Sequence, residues 1–311
     1  MVIKILILGF GRMGLSHALQ MLGVLRGRGK TCEVYIVDTS VLSRLLARML
    51  IRQARVIILS EKKLSRLPDK FFDYAVDASP PATRARSISM LSRLAVYFLV
   101  EKPVVYSLPE NAMSGYVLQH GPLVPDLRLL LDESLSKVTI TLETNLSFAN
   151  QYSWRAGSFG GVVNEFLGHM LSVPFAVFPG FKAFDDLDVK SAEEKKLNVC
   201  LTAESGPDLD LCLAYDQNVR KTTYSWLFEG GASPAILYDG YSIQYEDGER
   251  SSAVKTLPKS GVTCEYYLRG FDFCNQSVAL LDHSGDVMNK AQLDLVENLL
   301  TLVNEEQQSC E

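Results

Sequence analysis

The chain has 311 residues, of which 47% are hydrophobic and 22% charged, and its formal net charge is −5. Those values belong to a globular protein with material for two cores, at roughly 150 residues each. The acidic balance argues against a nucleic-acid partner, and no apolar run approaches the roughly 18 residues needed to span a bilayer, so no membrane partner is expected. Six cysteines stand at 32, 200, 212, 264, 274 and 310, with no C-x-x-C and no paired histidine spacing. Neither a disulfide framework nor a bound metal is expected from that spacing, and reduced thiols in a cytoplasmic protein are the simplest reading.

In chain order, the first segment is Val2 to Leu8, a β-branched apolar run of strand length that leads straight into Gly9-Phe10-Gly11-Arg12-Met13-Gly14. Because the glycine motif follows at once, the run reads as a strand and not as a secretory segment. A helix-compatible stretch continues to Leu25. In a strand–loop–helix of this kind, Gly9 permits the tight turn, Gly11 lets the backbone approach a pyrophosphate, and Gly14 lets the helix pack on the strand. The helix N-terminus then presents amide groups and partial positive charge to phosphates. The next apolar run, 33–38, closes on Asp38. A carboxylate there accepts from ribose hydroxyls and repels a 2′-phosphate, which favours NAD over NADP. Arg44, Arg48, Arg52 and Arg55 recur at helical intervals and read as a solvated face.

Further strands are predicted at 55–59, 73–78, 96–100 and 114–118, with helices at 12–25, 40–52 and 82–94. This alternation is the pattern of a parallel sheet built from βαβ units, and it predicts a doubly wound nucleotide-binding domain over residues 1–120. From residue 121 to 311 the character changes. Lys137 to Asn145 alternates apolar and polar residues, as do runs at 196–203, 209–216, 219–228, 234–238 and 241–246. These predict a second, α+β domain with a large open antiparallel sheet. Helices at about 263–282 and 288–306 close the chain, the latter with an apolar stripe of Leu293, Val296, Leu299, Leu300 and Val303.

Three more constellations carry chemistry. Asp77-Ala78-Ser79-Pro80-Pro81 lies at the end of the fourth strand, where open α/β sheets bind ligands; it is equally an ordinary strand–helix turn. Glu101-Lys102-Pro103 ends the fifth strand. A half-desolvated lysine there suits proton transfer or stabilisation of an alkoxide, although a strand-end Glu-Lys is commonly a surface ion pair. Finally, Gly160-Gly161 opens a helix on which Glu165 and His169 are four residues apart and project from one face, a device for binding and deprotonating a hydroxyl.

Taken together, G-F-G-R-M-G at 9–14, Asp38, Ser79-Pro80, E-K-P at 101–103, Trp154-Arg155 and G-G…E-x-x-x-H at 160–169 resemble the glucose–fructose oxidoreductase/inositol dehydrogenase (Gfo/Idh/MocA) family over essentially the whole chain. The resemblance implies NAD(P)-dependent oxidation or reduction of a sugar, cyclitol or nucleotide-sugar hydroxyl. It implies that Lys102 is the site lysine, on a cis bond to Pro103, and that His169 transfers the proton. Glu165 would stand where the family places an aspartate, on the reacting or a neighbouring hydroxyl. Phe10, Arg12 and Met13 join the cofactor loop with the glycines, Glu101 joins Lys102, and Tyr116, His120, Trp154 and Arg155 are substrate candidates. A homodimer or homotetramer built through the second sheet is also implied. The chain departs from the pattern at Leu167, where a glycine is usual, and at Ser172, where an acid is usual. A non-catalytic NAD(P)-sensing regulator or scaffold on the same fold stays open beside the enzyme, as does an imine or tetrapyrrole reductase.

Overall fold

The computed structural model describes residues 2–52, 54–104, 108–131, 135–144, 159–178, 181, 184–193, 196–203, 206–215, 222–230, 234–240, 242–246, 250–252, 271–284 and 290–309. Two compact units are present, Met1–His120 with Lys255–Val287, and Gly121–Val254 with Met288–Glu311.

The first unit opens with β1 (Ile3–Leu8), α1 (Arg12–Gly27), β2 (Cys32–Val37), α2 (Val41–Leu50), β3 (Arg55–Ile58), the short α3 (Glu61–Leu64) and β4 (Phe72–Asp77). It continues through α4 (Arg84–Leu94), β5 (Ala95–Val100) and β6 (Ala112–Ser114). All six strands pair in parallel, in the order β3-β2-β1-β4-β5-β6. Strands with both faces covered must be apolar throughout, which is why β1 reads I-K-I-L-I-L with its last four residues buried. The order reverses between β1 and β4, so the crevice outside their carboxyl ends is the topological switch point where such sheets bind ligands.

The sixth strand differs from its sequence expectation of 114–118: pairing stops at Ser114, and Val117–His120 forms a 3-10 turn. The reason is the approach of Gly115, whose amide donates to Val100 O at 2.6 Å. A Cβ on Gly115 would sit 2.7 Å from Glu101 Cα, so the chain turns there against the end of β5. A late helix, Phe271–Asp282, also belongs to this unit and packs on α1. Arg28 reaches Asp282 through both guanidinium nitrogens, and Tyr74 donates to Leu281 O at 2.9 Å. The part of the expected helix before Phe271 lies outside the described residues.

The second unit carries α5 (Val124–Leu130), β7 (Lys137–Thr144), α6 (Phe159–Val177) and then β8 (Phe184–Glu193) through β14 (Arg250–Ser252), ending in the helix Lys290–Ser309. Between these limits lie β9 (Lys196–Ala203), β10 (Asp208–Tyr215), β11 (Thr223–Glu229), β12 (Ile236–Tyr238) and β13 (Ser242–Tyr245). The eight strands run β14-β13-β12-β11-β7-β10-β9-β8. The sheet is mixed, because β7 and β10 pair in parallel while the other neighbours are antiparallel. The acid-rich edge strand β8 escapes a hydrophobicity reading, as edge strands often do. One face of β7, β9, β10 and β11 is buried (Val138, Ile140, Leu142, Val199, Leu211, Trp226), and the alternate residues are at least partly open. Leu293, Val296, Leu299 and Leu300 of the last helix are buried as their spacing requires; the side chain of Val303 lies outside the described residues.

Helix α6 packs against β7, α5 and the last helix. Pro174 sits inside it and has no amide to give to the carbonyl of Met170 one turn back. Trp226 of β11 supplies the missing donor, its indole Nε1 lying 2.9 Å from Met170 O in a fully buried position. Buried carbonyls must be satisfied, so one tryptophan ties the helix carrying His169 to the sheet. Trp226→Phe is expected to cost about 1–3 kcal/mol in urea unfolding, the penalty for an orphaned buried acceptor. In a Pro174→Ala background, where residue 174 regains its amide, that cost shrinks by about 1 kcal/mol; an equal cost in both backgrounds would refute the pairing.

Candidate active site

The dinucleotide loop joins β1 to α1. Gly9 is held by the carbonyl of Val37 at 2.9 Å and adopts a φ of +78°. A Cβ on Gly14 would fall 2.0 Å from Gly9 O, so only glycine allows α1 to start this close to the strand. A Cβ on Gly11, in contrast, would meet nothing within 4 Å. Gly11 is the N-cap of α1, no side chain caps the helix, and its first turn holds no acid. Open space before a bare helix N-terminus suits a pyrophosphate. Arg12 and Gly11 are exposed and Met13 is half-buried, whereas the ring of Phe10 is buried in the core of the unit.

Asp38 is oriented by two backbone amides. Phe10 N donates to Oδ2 at 2.5 Å, and Ser40 N donates to Oδ1 at 2.7 Å. The carboxylate therefore bridges the glycine loop to the start of α2 and stays half-exposed, with lone pairs left for ribose hydroxyls.

At the end of β4, Asp77 is completely buried and takes Ser79 N at 3.0 Å and Ser79 Oγ at 2.5 Å, with Ser87 Oγ on its other oxygen. The Ser79 hydroxyl is thus committed to the turn, while Pro80 is exposed. Arg84, also buried, donates to Ser79 O at 3.2 Å and to Pro103 O at 2.6 Å, clamping the β4 and β5 exits together.

The peptide bond between Lys102 and Pro103 is cis, as the resemblance implied. Glu101 does not form a surface ion pair; it is buried, with Oε1 accepting from His17 Nε2 at 2.6 Å and Oε2 from the amide of Lys102 at 3.2 Å. Burial pushes its carboxyl upward. The His17 hydrogen bond and charge, with Lys102 and Arg84, outweigh that and hold it below the usual carboxylate range. Glu101 therefore shapes the loop that presents the half-buried Lys102. Tyr116 is buried beneath the same loop, where its hydroxyl receives Val104 N at 3.2 Å and burial pushes the phenol up to about 12. His120 ends the 3-10 turn, largely buried, with Nε2 3.3 Å from Gln119 Nε2.

In the second unit, His169 is buried on α6, one turn after Glu165. Trp154, Arg155 and the side chain of Glu165 lie outside the described residues. Within the first unit, the structure gathers Gly9–Gly14, Asp38, Ser79–Pro80 and Glu101–Lys102 along one carboxyl edge of the sheet. Sequence reading missed His17 and Arg84, and it named Asp77 at the head of its motif without giving it a role. The available signals were a histidine among the apolar residues of α1, three positions after the last motif glycine, and an aspartate ending an apolar strand. Among the described residues no group of three or more His, Cys, Asp or Glu is placed to hold a metal ion.

The His17–Glu101 pair sets an acid-stability expectation. A carboxyl depressed in the folded state stabilises it above the ordinary carboxylate range, near pH 4.5, and loses that contribution as pH falls through the lower folded value. Glu101→Gln should therefore flatten the acid limb of a Tm-against-pH profile below about pH 4.5. His17→Leu strands the buried carboxylate and should cost about 3–5 kcal/mol at neutral pH. An unchanged acid limb in Glu101→Gln would contradict the assignment.

No protein-family model matches this sequence, and no curated protein matches it. Solved structures do match. A NAD-binding oxidoreductase from Klebsiella pneumoniae superposes with a TM-score of 0.74 at 14% identity, over 100% of this chain and 98% of that one. A levoglucosan dehydrogenase, in complex with NADH and levoglucosan, gives 0.71 at 13% identity, over 98% and 97%. The WlbA (WbpB) dehydrogenase from Thermus thermophilus, in complex with NAD and UDP-GlcNAcA, gives 0.64 at 17% identity, over 97% and 94%. At such identities the likeness shows the fold, and the fold implied by the motifs is the one this chain has: a Rossmann unit and a second α/β unit with a large sheet, as in these NAD-binding oxidoreductases.

Proposed function

We propose that the protein is an NAD-dependent oxidoreductase that transfers a hydride between a nicotinamide and the hydroxyl or keto carbon of a sugar, cyclitol or nucleotide sugar. The observation that carries this reading is the shape of the switch-point edge: an uncapped helix N-terminus faces open space at Gly11, a doubly oriented Asp38 lies beside it, and half-buried Lys102 stands at the next exit but one. Two of the structural neighbours, one in complex with NAD and UDP-GlcNAcA and one with NADH and levoglucosan, support it.

The residues fit a dinucleotide. Gly11, Arg12 and Met13 would take the pyrophosphate, Asp38 the adenine ribose, and the Ser79–Pro80 turn and Lys102 the nicotinamide end; bound there, the nicotinamide supplies the hydride acceptor or donor. Asp38 offers a carboxylate where NADP carries a phosphate, so the preference is for NAD.

Proton handling falls to Lys102 and His169. An ammonium at the substrate oxygen stabilises developing negative charge, and an imidazole exchanges the hydroxyl proton near neutral pH. Glu165, on the helical face shared with His169, orients a neighbouring hydroxyl. Tyr116, His120, Trp154 and Arg155 are kept as weaker substrate candidates. The half-open face of the large sheet supports self-association, as a dimer or tetramer, and a cytoplasmic setting suits a sequence whose cysteine spacing shows no disulfide framework.

Absorbance at 340 nm with NAD and a panel of polyols and nucleotide sugars tests the activity. Lys102→Ala and His169→Ala should each lower kcat about 10²–10⁴-fold, with nucleotide binding intact in His169→Ala. If both act on one hydroxyl, the double variant loses far less than the product of the two. A loss under about tenfold at either site removes it from the chemistry. Nucleotide binding without turnover on any of these substrates would make the protein a sensor. For the cofactor, Asp38→Ala should weaken NAD and improve NADP binding; equal affinities in the unaltered protein would overturn the assignment of Asp38.

A further inference from the structure

Helix α2 shows the wrong face to solvent. At 100° per residue Val41, Leu42, Leu45, Leu46, Met49 and Leu50 share one broad arc, and their exposures are 62, 66, 51, 40, 63 and 39%. The opposite face, where Ala47 is fully buried, packs on the protein through small residues. An ordinary surface helix does the reverse. Six adjacent large apolar side chains in water mark a surface that something else covers.

Charge identifies what covers it. Residues 39–60 contain Arg44, Arg48, Arg52 and Arg55 and no acid, in a chain whose acids outnumber its lysines and arginines 36 to 31. Arg48 borders the apolar arc by its helical position, and half-buried Arg44 lies one step further round the helix. At the C-terminal end of α2, Arg52 and Arg55 join Arg26 and Lys30 around a cavity of about 560 Å³. Arg52 Nε donates to Met49 O at 3.2 Å, so the rim of that cavity is continuous with the last turn of the helix. Among the described residues Glu33 is paired to this cluster, its carboxylate 3.0 Å from Arg55.

A second copy of the chain, meeting this patch face to face, would set arginine against arginine with no free carboxylate between them, which like-charge repulsion opposes. An anionic bilayer satisfies both halves at once: the acyl boundary receives the apolar arc, and headgroup phosphates receive the guanidinium groups. We propose that α2 is an interfacial docking helix that holds this protein on anionic membrane surfaces, with lipid phosphates at the arginine-lined cavity. Among the described residues no helix is long and apolar enough to cross a membrane, and docking of this kind needs none. The proposal revises the sequence reading, in which the arginine series was a solvated face and no membrane partner was expected.

Cosedimentation of the full chain with phosphatidylserine–phosphatidylcholine vesicles tests it, with phosphatidylcholine vesicles as the comparison. Binding to the anionic vesicles is expected to exceed binding to neutral ones at least tenfold and to fall as salt is added. Arg44→Gln with Arg48→Gln should weaken it about 25-fold, at about fivefold per cation. Leu42→Gln, Leu46→Gln and Met49→Gln together should abolish it, with the circular dichroism spectrum unchanged because all three side chains face solvent; should that variant misfold, the arginine pair still decides. No sedimentation with anionic vesicles, or equal binding to both kinds, overturns the proposal. So does a dimer, seen by light scattering without vesicles, that the apolar variants dissociate, because the face then belongs to a second copy.

Discussion

A carboxylate removed from water must have its oxygens accounted for, and Glu101 accounts for both within the first unit. One accepts from His17, 84 residues earlier in the chain, and the other from the amide of Lys102. His17 stands one turn inside the helix that starts at the dinucleotide loop, and the ring of Phe273 lies 5.6 Å from it, so the pair joins α1, the β5 exit and the late helix Phe271–Asp282. Lys102 is therefore held by the same helix whose N-terminus suits a pyrophosphate. The Arg84 clamp and the Tyr116 hydroxyl beneath Val104 brace the same loop. A buried pair of this kind stabilises little relative to apolar residues, but it is unforgiving of partial loss, so it fixes geometry better than it adds stability.

The second unit answers a comparable demand with different chemistry. The described side chains of helix α6, Phe166 to Val177, are buried, and Pro174 among them leaves a carbonyl without its helical donor. The indole of Trp226 meets that carbonyl. Its pairing is set by β11, which lies beside β7 in the centre of the sheet, so the position of His169 on α6 is referred to the most constrained strands of the unit. In both units a polar group that would be costly to leave unsatisfied is used to locate a residue proposed to act on substrate.

Conformational economy explains the division of labour among the motifs. Gly11 is kept bare and open, and Asp38 is oriented but half-exposed, as ligand-facing groups must be. Phe10, Ser79, Glu101 and Tyr116 also brace the scaffold: Phe10 in the core, Ser79 on Asp77, Glu101 on His17 and Tyr116 on Val104. Helix α2 breaks the rule that apolar faces turn inward, and that inversion, among arginines and without acids, sets this surface apart among the described residues.

Local chemistry was enough for the parts of this protein that local chemistry governs. The strand-to-glycine-to-helix start, the carboxylate closing β2, the wet-faced strands of the second unit and the inward stripe of the last helix follow from steric limits and periodicity within a few residues, and all were legible. The single helix that carries residues 165 and 169 follows in the same way. What needed the tertiary structure were pairings between distant residues: the parallel β7–β10 contact inside a mostly antiparallel sheet, the early turn at Gly115 forced by the backbone of Glu101, and the partnership of His17 with Glu101. The face that α2 turns outward belongs with these, since a moment measured along a helix gives its direction only once the neighbouring surface is known. Burial is a property of assembled neighbours, so whether an ionisable side chain meets water, ligand or a buried partner was decided only when the strands and helices closed around it.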